Sequence, residues 1–429
     1  MNKYINPEKS LWPSICERPG LDVAELENLV ASVFKEVAER GDEALADFAK
    51  KFDQVETASL RIDLSSKEFR IDPALKEAIT HAKRNIEKFH LSQKEKSVKI
   101  ETVKGVNCWR KSVAIENVGL YIPGGSAPLF STLLMLAIPA KIAGCKNIVV
   151  CTPPTRSGGV QEVIGWTCQL LGIETLYLTG GAQAIAAMTH GTVTIPKVDK
   201  LFGPGNQYVT AAKQMAQKFG VAIDMPAGPS EVLVIADDSA VPEFVAADLL
   251  SQAEHGPDSQ VVLVSDSERL LNEVSAEVQN QVSVLPRKEV ALQALEHSTS
   301  ILLKTLEECV EFSNTYAPEH LIIASKDADA VGEKITVAGS VFLGNWSCES
   351  AGDYASGTNH TLPTNGYARN YSGVSLDSFV KKITFQKLSE EGIKNLGPAI
   401  EKMAEAEELQ AHKNAVSVRL KSITNMKDV

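Results

Sequence analysis

The chain has 429 residues, of which 44% are hydrophobic and 23% charged, and its formal net charge is -11 at pH 7. This length and composition are typical of globular proteins with about two or three domains. The acidic balance argues against nucleic acid and anionic membrane surfaces as the main partners, because both bind basic surfaces. A small-molecule substrate is therefore expected.

The sequence shows no targeting or membrane-spanning segment. Its first residues, MNKYINPEKS, lack the apolar stretch of a secretory signal, and the longest apolar run, residues 133–140, is too short to cross a bilayer. The seven cysteines have no CxxC spacing, which argues against a disulfide framework and a thiolate zinc site. We expect a cytoplasmic protein whose cysteines are mostly buried thiols.

The first hundred residues have helical periodicity. Asp72 is a candidate N-cap before Pro73 at the first helical position. Apolar residues then recur on one helical face at Leu75, Ile79, Ala82, Ile86 and Phe89. These patterns predict a helical N-terminal region over residues 1–104.

From about residue 146, short apolar runs alternate with amphipathic stretches. The runs are NIVVC, TLYLTGG, KLFGPGN, VAIDM, VLVIADD, QVVLVSD, ILLK, HLIIAS and SVFLGN. This alternation predicts an α/β fold with parallel sheets and crossover helices. Nine strands are more than one compact doubly wound sheet usually contains. The Pro/Gly-rich segment at 224–232 is a natural boundary between two sheet domains.

We therefore predict two Rossmann-like parallel-sheet domains, at residues 105–229 and 230–375. Residues 376–429 are polar and predicted to be helical, with little apolar surface of their own. Such a tail must pack on something else, and another subunit is one candidate.

Gln252 and His255 stand at i and i+3 near the end of a predicted helix that Gly256 and Pro257 terminate. Both side chains can face one ligand. The alternative is that a histidine at a helix end interacts only with the last carbonyl groups.

Glu319 and His320 immediately precede the apolar run LIIAS. Loops at strand ends often carry catalytic groups, and a carboxylate beside an imidazole offers two general bases of different pKa. The alternative is a pair of polar residues at the entrance of a strand.

Two further pairs lie near the C-terminus. Asp353 and His360 belong to ESAGDYASGTNHTLPTNG, whose composition predicts a long polar loop, and such loops are usually functional. Glu407 and His412 fall in the tail, where a solvated helix face is the simpler interpretation. Their i, i+5 spacing places them on different faces of an ideal helix, so a shared site requires a break between them.

Three glycine-bearing turns, YIPGGSAP, TGGAQAI and FGPGN, each precede or open a helix-like segment. Their amides could bind phosphates, but none is the GxGxxG fingerprint. A dinucleotide site in the first sheet domain is consistent with these turns and is not established by them.

Longer motifs, in collinear order over nearly the whole chain, resemble the histidinol dehydrogenase family. These motifs are VGLYIPGGSAPLFSTLLMLAIPAKIAGC, GGAQAIAA, KVDKLFGPGN, DMPAGPSEVLVIAD, LLSQAEHGPDSQ, YAPEHLI, SAGDYASGTNH and AHKNAV. The resemblance implies a homodimeric enzyme that uses zinc and NAD in the last two oxidations of histidine biosynthesis. L-histidinol would be converted through L-histidinaldehyde to L-histidine, with two NAD consumed.

The resemblance also implies roles at matching positions. The implied zinc ligands are Gln252, His255 and Asp353, with His412 supplied by the other subunit. The implied catalytic pair is Glu319 and His320. Substrate contacts are implied at Ser230, Gln252, His255, His320, Asp353, Glu407 and His412, and NAD contacts at Tyr121, Gln183 and Asn206. Glu408 stands where the family often has glycine, and the role of His360 is open.

The implied ligand set is chemically reasonable. Imidazole, carboxylate and amide ligands suit zinc with open positions, where the nitrogens of an amino alcohol can bind. Because zinc is not redox-active, hydride must go to a bound cofactor. We expect His320 to accept the hydroxyl proton and Glu319 to activate the water that hydrates the aldehyde.

Three other functions fit parts of the sequence. A zinc hydrolase of a small amide would use similar ligands and a nearby glutamate. A metal that only joins a dimeric binding protein would explain the tail but not the adjacent Glu319 and His320. Aldehyde oxidation through a thiohemiacetal would require Cys145 or Cys151, which bracket a predicted buried strand.

Overall fold

The computed structural model describes residues 1–19, 23–56, 59–124 and 128–425. Contacts between residues divide the chain into two compact units. The first unit comprises Met1–Gln93 and Ile115–Phe379, and the second comprises Lys94–Ala114 and Val380–Val429.

The strands, in chain order, are β1 (Asn2–Ile5), β2 (Arg61–Asp63), β3 (Lys99–Val103), β4 (Val106–Ala114), β5 (Asn117–Tyr121), β6 (Asn147–Thr152), β7 (Thr175–Leu178), β8 (Lys200–Phe202), β9 (Ala222–Ile223), β10 (Glu231–Ala236), β11 (Gln260–Ser265), β12 (Thr299–Leu302), β13 (His320–Ala324), β14 (Ser340–Leu343) and β15 (Val380–Leu388).

The α-helices are α1 (Trp12–Ile15), α2 (Val23–Arg40), α3 (Asp42–Phe48), α4 (Pro73–Ser92), α5 (Phe130–Ala143), α6 (Glu162–Leu170), α7 (Gly181–His190), α8 (Gln207–Gln217), α9 (Pro242–Ala253), α10 (Glu268–Val282), α11 (Lys288–Glu296), α12 (Leu306–Tyr316), α13 (Ala328–Gly332), α14 (Glu349–Tyr354), α15 (Glu390–Ala406) and α16 (Gln410–Asn425). A π-helix covers Ala49–Asp53, and short 3-10 helices cover Lys9–Leu11, Tyr367–Arg369 and Leu376–Phe379. None of the described helices is both long enough and apolar enough to span a membrane.

The first unit contains two six-stranded sheets with the same strand order. One sheet is ordered β2-β7-β6-β5-β8-β9 and the other β1-β12-β11-β10-β13-β14. Apart from antiparallel β2, neighbouring strands in both sheets are parallel. Each sheet is a doubly wound 3-2-1-4-5 unit extended by one strand from the first 63 residues. The predicted α/β class with two Rossmann-like sheets is confirmed.

The central strands are apolar because helices cover both of their faces. Every residue of β10, β11 and β13 is buried. A parallel sheet packed on both sides produces such continuous apolar runs rather than alternation. Each of the nine runs that predicted strands overlaps a strand in the structure. We retain residues 105–229 and 230–375 as proposed domain boundaries.

The N-terminal region is helical, and it also supplies β1 and β2 to the sheets. The side chain of Asp72 caps α4 by accepting hydrogen bonds from the N–H groups of Ala74 and Leu75. The expected apolar face is buried at Ile79, Ala82 and Ile86, but Phe89 is exposed. His90, one helical turn after Ile86, takes the buried position because Gln93 and Asn359 hydrogen-bond its ring.

The second unit corrects the prediction of an entirely helical tail. β15 pairs with β4 in an antiparallel three-stranded sheet that also contains β3. Cross-strand packing stabilises β15, since the rings of Phe385 and Trp109 stack with centroids 5.5 Å apart. The two helices α15 and α16 follow, so the rest of the tail is helical as predicted.

Candidate functional site

A cavity of about 590 Å³ lies where opposite edges of the two sheets approach each other. Tyr121 at the carboxyl end of β5 and Asn206 after β8 line it from the first sheet. Ser230 and Ser259, directly before β10 and β11, line it from the second. In open α/β sheets, ligands usually bind at the carboxyl ends of the strands, where the strand order reverses. The first sheet faces the cavity with this edge. The second contributes its amino edge instead.

The predicted catalytic pair, Glu319 and His320, is buried at this amino edge. His320 is the first residue of β13 and is in register with Val232 of β10. Its Nε2 atom lies 3.6 Å from Oε1 of Glu319, and the side chains are 5–7% exposed. The Oε2 atom of Glu319 accepts a hydrogen bond of 3.0 Å from the N–H of Glu231. Sheet backbone therefore fixes both residues.

Burial makes both members of the pair poor at carrying charge. Burial, and to a smaller extent the nearby His360 and His255, lower the pKa of His320 to about 3. Burial also raises the pKa of Glu319 well above its usual range, although the N–H of Glu231 opposes this effect. At neutral pH the imidazole is therefore uncharged and able to accept a proton.

Three side chains converge as a candidate metal centre. His255, Glu349 and Asp353 each offer a ligand atom, and these atoms all lie within 4.8 Å of one another. His255 follows α9, whereas Glu349 and Asp353 stand at i and i+4 on α14, so both face the same way. Burial raises the pKa of Asp353 to about 6, and the adjacent His255 opposes that shift.

Several polar atoms around this cluster are buried without a hydrogen-bond partner. Across the part of the chain that the structure describes, they include both amide atoms of Gln252, Oδ1 of Asp353, Oε2 of Glu349 and Nδ1 of His320. Gln252 is completely buried in the last turn of α9. Buried polar atoms normally have partners, so unpaired imidazole, carboxylate and amide atoms in one region fit a bound cation.

Asp353 does not lie in a loop, and that prediction was wrong. It belongs to the short helix α14, which packs against α9. The Asp248 carboxylate on α9 accepts a hydrogen bond from the N–H of Glu349, the first residue of α14. This contact satisfies a helix-end donor and holds α14 on α9 in spite of its Gly- and Ser-rich composition.

His360, whose role was left open, supports Asp353 instead of joining the ligand atoms. Its Nδ1 atom lies 2.9 Å from the backbone oxygen of Asp353, and its Nε2 atom lies 3.2 Å from Oγ1 of Thr132 on α5. Both ring nitrogens are therefore engaged. The ring connects the end of α14 to the first sheet's layer of helices.

The three predicted NAD-contacting residues belong to the first sheet and to the helices that pack on it. The hydroxyl of Tyr121 accepts a hydrogen bond of 3.0 Å from the N–H of Gly181, at the start of α7. Gln183 is on α7, and Asn206 caps α8 by accepting from the N–H of Val209. Asn206 lines the large cavity and, with Gln183, an adjoining cavity of about 360 Å³.

A buried ion pair fixes the turn that carries Asn206. The N–H of Gly203 donates to Oδ2 of Asp224 at 2.8 Å, and the carbonyl of Gly203 accepts from Lys213 at 2.9 Å. Lys213 also pairs with Asp224, and both side chains are almost fully buried. Gly203 has φ +136°, a conformation that favours glycine. The turn is therefore held rigidly at the cavity.

Glu407 and His412 belong to the second unit, whereas the residues that line the cavity belong to the first. Glu407 caps the carboxyl end of α15, and His412 is exposed in α16. The helix break that a shared site requires is present, because Glu408 adopts a left-handed conformation with φ +59°. The helix therefore breaks at Glu408, although the resemblance places glycine at this position in many family members.

Glu349 is the residue that sequence reasoning missed. It immediately precedes the motif SAGDYASGTNH, four residues before Asp353. Its Oε1 atom lies 3.9 Å from Nε2 of His320. The i, i+4 spacing of two acids would have indicated it, but the composition predicted a loop, for which this spacing has no meaning.

Comparison with known proteins agrees with this arrangement. Residues 16–420 match the family model described as histidinol dehydrogenase. A histidinol dehydrogenase from Bacteroides thetaiotaomicron is 56% identical over 427 residues, which cover 99% of this chain and 100% of that protein. One from Bacteroides fragilis is 57% identical over 420 residues, or 97% of this chain and 98% of its own.

A solved structure is similar over the same extent. The crystal structure of histidinol dehydrogenase from Elizabethkingia anophelis has a TM-score of 0.96 and 62% sequence identity, and the match covers 99% of both chains. The chain belongs to the histidinol dehydrogenase family.

Proposed function

We propose that this chain oxidises L-histidinol through L-histidinaldehyde to L-histidine, with two NAD as hydride acceptors. The observation that carries the proposal is the buried Glu319–His320 pair beside the cluster of unpaired ligand atoms. The whole-chain family match favours this oxidation over the zinc hydrolase of a small amide.

Zinc would be held by Gln252, His255 and Asp353 of this chain and by His412 of a second copy. Bound there, it would bind the nitrogens of the amino alcohol and orient the substrate. We add Glu349 to the residues that hold the metal, because its ligand atom lies in the same cluster as those of His255 and Asp353. The exposure of His412 on α16 is consistent with its donation to a partner in a homodimer.

NAD would lie along Tyr121, Gln183 and Asn206 and would accept hydride from the substrate carbon in each oxidation. The cavity contains Ser230 and His255 as well as Tyr121 and Asn206. Proposed substrate residues and proposed cofactor residues therefore line one space. This is the arrangement that direct transfer between two bound molecules requires.

His320 would act as the base in both oxidations. Its neutral imidazole accepts the hydroxyl proton of histidinol while the carbon loses hydride, which leaves the aldehyde. The Glu319 and Glu349 carboxyl groups, 3.6 and 3.9 Å from Nε2, would stabilise the imidazolium that forms.

Glu319 would remove a proton from the water that adds to the aldehyde carbon, and the imidazolium of His320 would return its proton to the aldehyde oxygen. The gem-diol forms in this way, and His320 is neutral again. In the second oxidation the gem-diol carbon would lose hydride to a fresh NAD and a hydroxyl proton to His320, and the product would ionise to the carboxylate. Ser230, Glu407 and His412 are assigned to substrate contacts in this scheme.

A cysteine route is not supported by the surroundings of the two candidate thiols. Cys151 is completely buried on β6, and burial raises the pKa of its thiol strongly. Burial raises the pKa of the Cys145 thiol to about 11, and its Sγ lies 3.8 Å from the carbonyl of Phe379. Neither thiol lines the cavity.

The test is the stoichiometry of turnover by the zinc-loaded protein. With limiting L-histidinol and excess NAD, we expect two NADH for each histidinol consumed, and histidine as the product by mass spectrometry. A chelator should stop the reaction and zinc should restore it. Cleavage of an amide without NAD, or binding of histidinol without NADH formation, would contradict the proposal.

A further inference from the structure

A buried ion pair joins the N-terminal segment to the strand next to Glu319. The Nε and Nη2 atoms of Arg18 donate hydrogen bonds of 2.7 and 2.9 Å to the two carboxylate oxygens of Glu231. The two side chains are 14% and 2% exposed. A paired contact between two planar groups fixes the orientation of both. Glu231 begins β10, and its N–H is the group that donates to Oε2 of Glu319.

The same guanidinium contacts the turn that leads into Glu319. Nη2 of Arg18 also donates to the carbonyl of Tyr316 at 2.8 Å, and Cζ lies 3.9 Å from the centroid of the Tyr316 ring. The next residue, Ala317, has φ +60°, a conformation that a residue with a side chain keeps only where its surroundings impose it. Arg18 therefore contacts both backbone segments that meet at Glu319.

Glu231 and Glu319 precede the first paired residues of two neighbouring strands. β10 and β13 are parallel and pair from Val232 and His320 onwards, so the two buried acids stand side by side. Burial raises the pKa of Glu319 well above its usual range, and the charge of Glu231 adds to the rise. Arg18 is the cation that pairs with Glu231, so it offsets a negative charge beside the proposed general base.

Without this cation, a buried carboxylate would remain unpaired. Such a group is strongly destabilising, and it moves towards water or takes up a proton. We infer that Arg18 is a positioning residue for aldehyde oxidation: it fixes Glu231 and thereby holds Glu319 where it can activate water. The inference rests on the proposed role of Glu319. Neither Arg18 nor Glu231 is among the described residues that line the large cavity, so their effect passes through Glu319.

The two oxidations should respond differently to Arg18. Oxidation of histidinol depends on His320, which the β13 ladder holds in place. Oxidation of the aldehyde also depends on Glu319, whose Oε2 accepts from the N–H of Glu231. A shift of about 1 Å in a reacting group can lower a rate by roughly 10². Loss of Arg18 should therefore act mainly on the second oxidation.

The experiment measures single turnovers of zinc-loaded wild type and Arg18→Gln with NAD. L-histidinol and L-histidinaldehyde are supplied in separate runs, and NADH absorbance gives the rate of each oxidation. Arg18→Gln should slow aldehyde oxidation by about 10- to 100-fold. Histidinol oxidation should stay within a few-fold of the wild type. Zinc affinity should be unchanged, since neither member of the ion pair belongs to the candidate metal cluster.

A double variant tests whether the unpaired charge of Glu231 causes the loss. Arg18→Gln combined with Glu231→Gln removes both charges, and replacing both partners of a buried pair is often nearly neutral. The double variant should therefore oxidise the aldehyde faster than Arg18→Gln. A purely structural role of Arg18 predicts no such recovery, because the contacts with Tyr316 are missing from both variants.

Arg18→Lys is a conservative variant that keeps the positive charge but not the planar fork. It should show a smaller loss of aldehyde oxidation than Arg18→Gln. Should the single glutamine variant not fold, Arg18→Lys and the double variant are compared with the wild type instead. Arg18→Lys should then still slow aldehyde oxidation more than histidinol oxidation.

Arg369→Gln is the matched control. Arg369 donates to the carbonyl of Thr315, one residue before Tyr316, so it contacts the same helix end, but its hydrogen bond does not go to Glu231. Both oxidations should keep their wild-type rates in this variant. A selective loss of aldehyde oxidation in Arg369→Gln would assign the effect to the helix end and overturn the inference.

The outcomes separate the inference from the proposed function when Glu319→Gln is measured in parallel. If Glu319→Gln selectively slowed aldehyde oxidation but folded Arg18 variants slowed both oxidations equally, or neither, the inference would be overturned while the role of Glu319 stands. A double variant no faster than Arg18→Gln would overturn it as well. A wild-type protein that formed no NADH from either compound would contradict the proposed function itself.

Discussion

The Oε1 atom of Glu349 lies 3.9 Å from the Nε2 atom of His320, and the same carboxyl group belongs to the cluster with His255 and Asp353. One buried side chain therefore adjoins both the proton-transfer pair and the candidate metal centre. Burial raises the pKa of Glu349 well above its usual range, and the neighbouring Asp353 and Glu319 raise it further. A divalent cation would relieve this accumulation of carboxyl groups.

Replacing Glu349 with Gln should weaken zinc binding. The change keeps the size of the side chain but removes its negative charge from the cluster, and supporting groups at metal sites typically contribute about 10- to 100-fold in affinity. Competition with a chromophoric chelator measures the effect. Glu254→Gln is the control, since Glu254 lines the cavity but lies outside the cluster. Wild-type zinc affinity in Glu349→Gln would remove this residue from the metal-holding set.

Zinc affinity should fall as pH drops through about 6. Asp353, whose pKa is raised to about 6, must be ionised to bind the cation, so protonation competes with the metal below that pH. Burial lowers the pKa of His255, which favours the neutral imidazole that binds a metal.

Below the pKa of Asp353, each drop of one pH unit should lower the zinc affinity about tenfold, because one proton competes with the metal. Above this pKa the zinc affinity should level off. Chelator competition between pH 5 and pH 8 gives the profile, with circular dichroism as the control for folding. A profile that stayed flat down to about pH 4, as for an ordinary exposed aspartate, would contradict the expected protonation of Asp353.

The buried cysteines should be dispensable for catalysis. Cys145→Ser and Cys151→Ala should retain turnover within a few-fold in folded, zinc-loaded protein, because neither thiol lines the cavity. Cys151→Ala creates a small core cavity, and a loss of about 1 kcal/mol in unfolding free energy is expected. Steady-state NADH formation and thermal unfolding measure the two effects. Abolished turnover in a folded variant would restore the thiohemiacetal route.

Coexpression should show whether His412 acts across a dimer. His412→Ala and His320→Ala homodimers should each be nearly inactive. A mixed dimer would combine the intact His320 of one chain with the intact His412 of the other and thus contain one complete site. Dimers purified through two different tags should recover up to about half of the wild-type activity per dimer. Mixed dimers without activity would place His412 in the site of its own chain.

The sheets were predictable because their signal is local. The runs around Val234 and Ile322 are apolar throughout, and such continuity arises where helices cover both faces of a strand. β15 was not predicted, since its stability depends on pairs such as Phe385 with Trp109, which lie far apart in the sequence. The short α14 was missed because Asp248, a residue about one hundred positions earlier, caps it.

The candidate site was predictable only where residue type and motif pointed to it. The structure brings His255 and Asp353 together, but Glu349 became visible only once α14 was known to be a helix. A strand pattern also does not indicate which edge of a sheet faces a cavity, so the contribution of the second sheet's amino edge could not be predicted.

Glu319 and His320 are proposed to have different roles in the two oxidations, and single-turnover mixing with Glu319→Gln tests this difference most directly. If His320 alone accepts the hydroxyl proton, as proposed, Glu319→Gln should still give a rapid burst of NADH with histidinol and NAD.

The second oxidation should then slow by about 10² to 10⁴, the usual contribution of a general base, and aldehyde should accumulate. His320→Ala should impair both steps. If Glu319→Gln slowed the burst and the aldehyde oxidation equally, the carboxylate would serve the whole site, and the proposed division of labour would be wrong.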